Sequence, residues 1–257
     1  RGLAAAAAAA GAFLYAGARA VQHVHNLTRV HTDSGYIEIR STITIGADGP
    51  RSIAGSWMGS SNNNFVLGAQ WTVKLNSRLR KTRIYFDRHF PGGYGWLFPG
   101  VGFARVGIGL DRSFGVNASE ALKYFVDRLA VEGLINAEPQ SITGGLIPVG
   151  GTVTVFRDDI ILAGDAAGLC HPISGAGIAM ALDSGRLAGL AAAAALRAGK
   201  SALNRYVKQI DTLYGRSLSG AVRRRQEMYA GERDGAADFN AAIRRVWIGL
   251  IPASVRI

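Results

Sequence analysis

The chain predicts an α/β fold in which a doubly wound portion is interrupted by an antiparallel sheet and followed by a helical C-terminus. Three observations predict it. Two β-branched runs, "ITIGADG" and "ILAGDAAG", end in Gly and then an Asp, the grammar of a buried strand whose tip meets a ligand. Between them lie runs such as "FVLGAQWTVKL", "TRIYF", "YGWLF" and "FARVGIGL", separated by Gly and Pro, which read as a sheet of their own. From about residue 175 onward the text is built on Ala, Ile, Met and Leu at helical spacing.

Taken in order, residues 1–21, "RGLAAAAAAAGAFLYAGARAV", copy a secretory signal superficially, with a basic start and an Ala-Arg-Ala. Ala is a strong helix former and a poor membrane residue, so a packed helix is the expectation. "VQHVH", "LTRVH" and "YIEIR" alternate as strands, the last two joined by a turn at residues 32–35. "STITIGADG" reads as a buried strand. Residues 117–134 form an amphipathic helix with Asn117 and Glu120 spaced as a capping box. "SITGGLIPVG", "TVTVF" and "DIILAG" are further strands, and the helices after residue 175 break near Lys200 and in "GERDG". The expected division is residues 1–60 and 151–200 in the doubly wound domain, 61–150 in the antiparallel domain, and 201–257 in a helical region.

At 48% hydrophobic content the chain can bury a core, and its net charge of +11 is uneven. The last 72 residues hold 13 Lys/Arg against 5 Asp/Glu, or +8, which favours an anionic partner: nucleic acid, phospholipid or a diphosphate. Cys170 is the only cysteine, so neither an internal disulfide nor a thiolate-rich metal site is expected, in keeping with a reducing, cytoplasmic setting.

Asp48 and Asp165 stand at the two strand tips, where a carboxylate accepts hydrogen bonds from a ligand's hydroxyls. Gly46 and Gly49 flank the first, and Gly164 precedes the second; without a Cβ the backbone can approach a ligand closely. Asp-Gly is also a plain turn dipeptide and Asp165 could cap a helix, so each alone has a bland reading. After Asp165, "HPISGAGI" places Pro172, Gly175 and Gly177 where a loop enters a helix, whose free N–H groups attract an anion or an electron-rich heterocycle. Tyr94, Trp96 and Phe98 alternate along one strand face as either the wall of an apolar tunnel or a core-facing stripe.

Four blocks in this order, "IGADGPRS", "PGGYGWLFPG", "GLIPVGG" and "ILAGDAAGLCHPISGAGIAMALDSGRLAG", resemble the geranylgeranyl reductase family, a branch of the flavoproteins shaped like para-hydroxybenzoate hydroxylase. The resemblance spans roughly residues 3–190. It implies FAD as cofactor, with Asp165 at the ribityl chain, the loop of Pro172, Gly175 and Gly177 along the isoalloxazine ring, and Asp48 supporting the FAD. Tyr94, Trp96, Phe98 and Pro99 match the family's Tyr-x-Trp-x-Phe-Pro block, which lines the prenyl cavity. The implied reaction is saturation of double bonds in a geranylgeranyl or other polyprenyl chain, with NAD(P)H or a ferredoxin as electron donor. An aromatic monooxygenase or halogenase of the same fold, and a non-catalytic lipid-binding remnant, are the alternatives.

The family opens with a strand, G-x-G-x-x-G and a helix, which do not occur here; "GVGFAR" and "GAGIAM" lack the last glycine. The doubly wound domain is therefore expected to be incomplete, a C-terminal portion of a longer flavoprotein. His23 and His25 share a strand face without a third ligand, so no metal is expected. His171 beside Cys170 has nothing nearby to activate it. The run of residues 223–225 reads as a solvated helix face and no nucleic-acid site, having no aromatic context. "AAIRRVWIGLIPASVRI" mixes Arg with Trp, Ile and Leu and suits either a membrane surface, on the inner face, or a helix packed on the core.

Overall fold

The computed structural model describes residues 2–233. Helix α1 (Gly2–Ala9) is exposed along its length, so the expected packing of the Ala-rich stretch does not occur. Ala supplies propensity but no bulky stripe to bury, and Gly11 turns left-handed just beyond it.

Strands β1 (Arg19–Val24), β2 (Leu27–Thr32) and β3 (Gly35–Arg40) form an antiparallel meander. His25 and Asn26, both at positive φ, make the first turn, so His25 lies off the strand and shares no face with His23. Thr32 and Gly35 close the second. Strand β4 (Thr44–Gly46) is shorter and less covered than expected, Ile45 being 39% exposed, because α2 (Ile53–Trp57) covers one face only.

Strands β5 (Phe65–Leu75), β6 (Arg83–Tyr85), β7 (Gly95–Pro99), β8 (Phe103–Leu110) and β9 (Ile135–Pro148) build an antiparallel sheet of order β6-β7-β8-β5-β9. Helix α3 (Ala118–Val131) lays Leu122, Phe125, Val126 and Leu129 on Val73, Leu97, Val106 and Ile108 to make one core. Asn117 caps α3 through the amides of Ser119 and Glu120. The Glu120 carboxylate meets the Asn117 amide side chain instead of its backbone N–H, so half of the capping box forms.

The second core belongs to strands β10 (Phe156–Arg157) and β11 (Ile160–Leu162) with β4, under α4 (Ile178–Ala198), α5 (Leu203–Ile210) and α6 (Arg216–Arg233). "TVTVF" reads as a strand, yet only Phe156 and Arg157 pair; Val153 and Val155 bond singly to Ala167 and Leu162 and make no ladder. Strand β11 runs parallel to β4 with Leu162 opposite Gly46, which brings both carboxylate tips to one edge. The helices break at Gly199 as expected, but α6 continues through residues 231–233 of "GERDG"; the rest of that motif and "AAIRRVWIGLIPASVRI" lie outside the described residues.

Candidate functional site

At the carboxyl ends of β4 and β11 opens a cleft of about 390 Å³, lined by Ala47, Gly49, Gly164, Asp165, Gly175, Gly177 and the first turn of α4. Register alone sets this up: the Ala163 amide donates to the Gly46 carbonyl at 2.9 Å, so the two tips leave the sheet side by side. Gly164 stands at φ +59°, turning the chain so that Asp165 faces the cleft. A Cβ on Gly177 would lie 3.2 Å from the Asp165 Oδ1, so that glycine leaves the carboxylate its space. Gly46 serves packing, contrary to the expected ligand approach. A Cβ there would sit 2.5 Å from the Ala54 Cβ, against α2.

Asp165 is half-buried, and its carboxylate has no hydrogen-bond partner among the described residues. Burial pushes its pKa up. Its backbone carbonyl, by contrast, is held by the Gly168 amide and by the Asn62 Nδ2 at 2.9 Å, and the same Asn62 nitrogen donates to the Pro50 carbonyl at 3.0 Å. One buried amide thus ties the two tips together, a role invisible in the polar string "SNNN".

Asp48 does something else. Its carboxylate accepts from the Ser52 hydroxyl at 2.5 Å and from the amides of Ile53 and Ala54, capping α2. The carboxylate is committed there, and the loop offers the cleft the backbone of Ala47 and Gly49 instead.

The loop after Asp165 is folded by His171. Its Nδ1 accepts from the amides of Ile173 and Ser174, and its backbone bonds Gly175 and Ala176. Burial, with the Arg224 charge, pushes the imidazole pKa down, which keeps Nδ1 an acceptor. Burial raises the Cys170 thiol to about 12, with the Asp165 charge adding to it, so Cys170 is no nucleophile.

Across this loop stands the aromatic row. Leu97 enters the α3 core while Trp96 and Phe98 point to the opposite face of β7, which removes the core-stripe reading. Tyr94 lies 5.9 Å from Trp96, and Trp96 stacks 6.0 Å from Phe98. Pro99 ends the strand. The Tyr94 hydroxyl donates to the Ser174 carbonyl at 2.5 Å, and burial, then Cys170, raises its pKa to about 12. A 30 Å³ pocket between Tyr94, Trp96, Ile147, Pro172 and Gly175 joins row and loop.

Arg225 overturns the expectation of a solvated face for its part of the run. It is 6% exposed and donates to the carbonyls of Gly92 at 2.8 Å and Pro172 at 3.1 Å, with the Tyr229 hydroxyl at 3.3 Å. It therefore ties α6 to both the turn before the aromatic row and the loop after Asp165. Three consecutive arginines hide such a residue, since period alone does not say which one turns inward. His23 bonds Thr28 and Asp159 and stacks on Trp57, and the described residues contain no group of three metal-ligating side chains.

These features define a class first: an α/β fold with a ligand cleft at a parallel strand edge beside an antiparallel sheet, as in FAD-dependent reductases and monooxygenases. A geranylgeranyl bacteriochlorophyll reductase-like protein from Thermoplasma acidophilum superposes with a TM-score of 0.79 at 24% identity, covering 96% of this chain and 65% of that one. The OxyS anhydrotetracycline hydroxylase from Streptomyces rimosus follows the same fold at a TM-score of 0.66, 16% identity, 96% of this chain and 52% of its own. No family model matches the chain. Sequence narrows the class. Digeranylgeranylglycerophospholipid reductase 2 of Methanosphaera stadtmanae is 35% identical over 192 residues, which is 70% of this chain and 48% of the relative. Reductase 3 of the same organism is 30% identical over 222 residues, 81% and 55%. The chain is a relative of the geranylgeranyl reductase family and spans about half the length of the curated relatives it matches.

Proposed function

We propose that this chain forms part of an FAD-dependent reductase that saturates double bonds in a geranylgeranyl or other polyprenyl lipid. The observation that carries it is the half-buried Asp165 carboxylate, unpartnered among the described residues, in a glycine-lined cleft at a parallel strand edge. Such a carboxylate fits a ligand that brings hydroxyl donors, as a ribityl chain does. When bound and reduced by NAD(P)H or a ferredoxin, the flavin would supply the hydride for one alkene carbon, and a proton would complete the saturation. Asp165 would accept from its ribityl hydroxyls, and the loop of Pro172, Gly175 and Gly177 would lie along its ring with the uncapped first amides of α4 facing its anionic edge.

An unactivated alkene develops little charge to stabilise, so the chain's contribution is positioning. Tyr94, Trp96 and Phe98 offer a continuous apolar row for the prenyl chain beside that loop. Tyr94, its proton engaged by the Ser174 carbonyl and its pKa raised, stays a phenol through the neutral range and holds the row against the loop.

The test is anaerobic reduction of a digeranylgeranyl phospholipid by the natural full-length product, followed by mass spectrometry for added H2. Asp165→Asn and Asp165→Ala should lose bound flavin and turnover together. Flavin-dependent oxygen uptake with an aromatic acid, and no prenyl saturation, would replace this reading with the monooxygenase one. A full-length product without flavin would leave a lipid-binding protein.

A further inference from the structure

We propose that the end of the antiparallel sheet carrying residues 76–83 docks on an anionic phospholipid bilayer. Arg78, Arg80, Lys81 and Arg83 are exposed within six residues, with no acidic residue between 74 and 86. None of the four has an ion-pair partner among the described residues. The nearby acids are spoken for: Glu132 pairs with Arg128 at 3.2 Å, and Asp87 with Arg128 and His89.

Two apolar tips flank this loop and are fixed to it. The Leu75 amide donates to the Gly102 carbonyl at 3.3 Å, next to Val101, which is 98% exposed at the β7–β8 turn. The Asn76 amide and side chain donate to the carbonyls of Leu134 and Gly133, where α3 ends with Val131 at 89% exposure. Between this loop and the Val101 turn opens a cleft of about 1080 Å³ lined by Arg78, Leu79, Arg80 and Val101, roomy enough for a phosphate headgroup. Bare valines beside unpaired guanidinium groups match a lipid interface, in which apolar tips enter the headgroup boundary while cations meet phosphate. Nucleic acid fits less well, since no aromatic ring interleaves with these cations. The surface deepens the reading of a membrane lipid as substrate, but its test involves neither flavin nor turnover, so the two fail separately.

The experiment is co-sedimentation of the 257-residue chain with vesicles of pure phosphatidylcholine and of phosphatidylcholine with phosphatidylglycerol. Binding should require the anionic lipid and fall with salt. Each cation near such a surface contributes enough that Arg78→Gln/Arg80→Gln/Lys81→Gln should weaken partitioning on the order of 100-fold. Val101→Asp should weaken it about tenfold by the same scale. Arg197→Gln/Lys200→Gln, remote from this end, serves as control, and melting curves confirm that each variant folds. Unchanged binding by the triple variant, equal losses in the control, or preference for a duplex oligonucleotide over anionic vesicles would overturn the proposal.

Discussion

Replacing Arg225 with Met keeps most of the side chain's volume and removes its donors. The buried carbonyls of Gly92 and Pro172 then lose charge-assisted hydrogen bonds of 2.8 and 3.1 Å. A buried acceptor left without its donor costs roughly 1–3 kcal/mol, so two give about 2–6 kcal/mol. The ion pair with Asp111 is loose at 3.8 Å and adds little. Relief from burying a guanidinium offsets part of this, and volume is nearly conserved, which leaves a net loss of about 3 kcal/mol. That is a large share of the ~5–15 kcal/mol typical of a folded domain. Urea unfolding should show a lower midpoint at unchanged slope, and hydrogen exchange should quicken first at residues 172–177. Arg225→Lys keeps the charge but cannot span both carbonyls, so it should recover less than half. A loss under about 1 kcal/mol with residues 172–177 still protected would refute the idea that this guanidinium joins helix, turn and loop.

Gly107→Ala would place a Cβ 2.4 Å from the Trp96 ring and 2.7 Å from the Ala69 carbonyl. It should cost about 1–3 kcal/mol and shift tryptophan emission as the 3.1 Å bond from Trp96 Nε1 to Gln70 breaks; an unchanged spectrum would count against the aromatic row as drawn. The Cys170 thiol, raised to about 12, should be nearly unreactive to iodoacetamide at pH 8 in the folded chain and labelled readily in urea. Labelling at the free-cysteine rate would contradict its burial. Asp165 has a folded pKa above its unfolded one, so the stability it contributes is fully present below the unfolded value and is lost as pH rises through the folded one. Asp165→Asn should therefore melt slightly higher than wild type at pH 7, with the gap closing near pH 4, while the full-length variant binds flavin less well. A variant less stable at pH 7 would point to a hidden partner for the carboxylate.

Much of this arrangement was legible because it rests on short-range rules. Glycine and aspartate after a β-branched run mark a strand tip, and both tips emerge where the parallel pairing of β4 and β11 puts them. The alternation at residues 94, 96 and 98 puts these side chains on one face of the sheet, but only the burial of Leu97 says which face the core takes. What stayed hidden is long-range. Asp48 and Asp165 share one sequence grammar and differ in role because α2 begins five residues after Asp48 and claims its carboxylate. Asn62 acts across 103 residues of chain and Arg225 across 133, distances at which no local pattern speaks. The Ala-rich start departs from the packed helix its composition predicts, because propensity writes a helix without providing it with anything to cover.

The Asn62 side chain, reaching from one strand tip to the other, has an effect on timing. A crevice whose two lips are pinned by a buried amide keeps its aperture whether or not anything lies inside it. A visiting molecule would meet a mould already set and lose little freedom of the walls on entry, because the facing loop is likewise tied down, by the Tyr94 hydroxyl, by the His171 ring and by the Arg225 guanidinium.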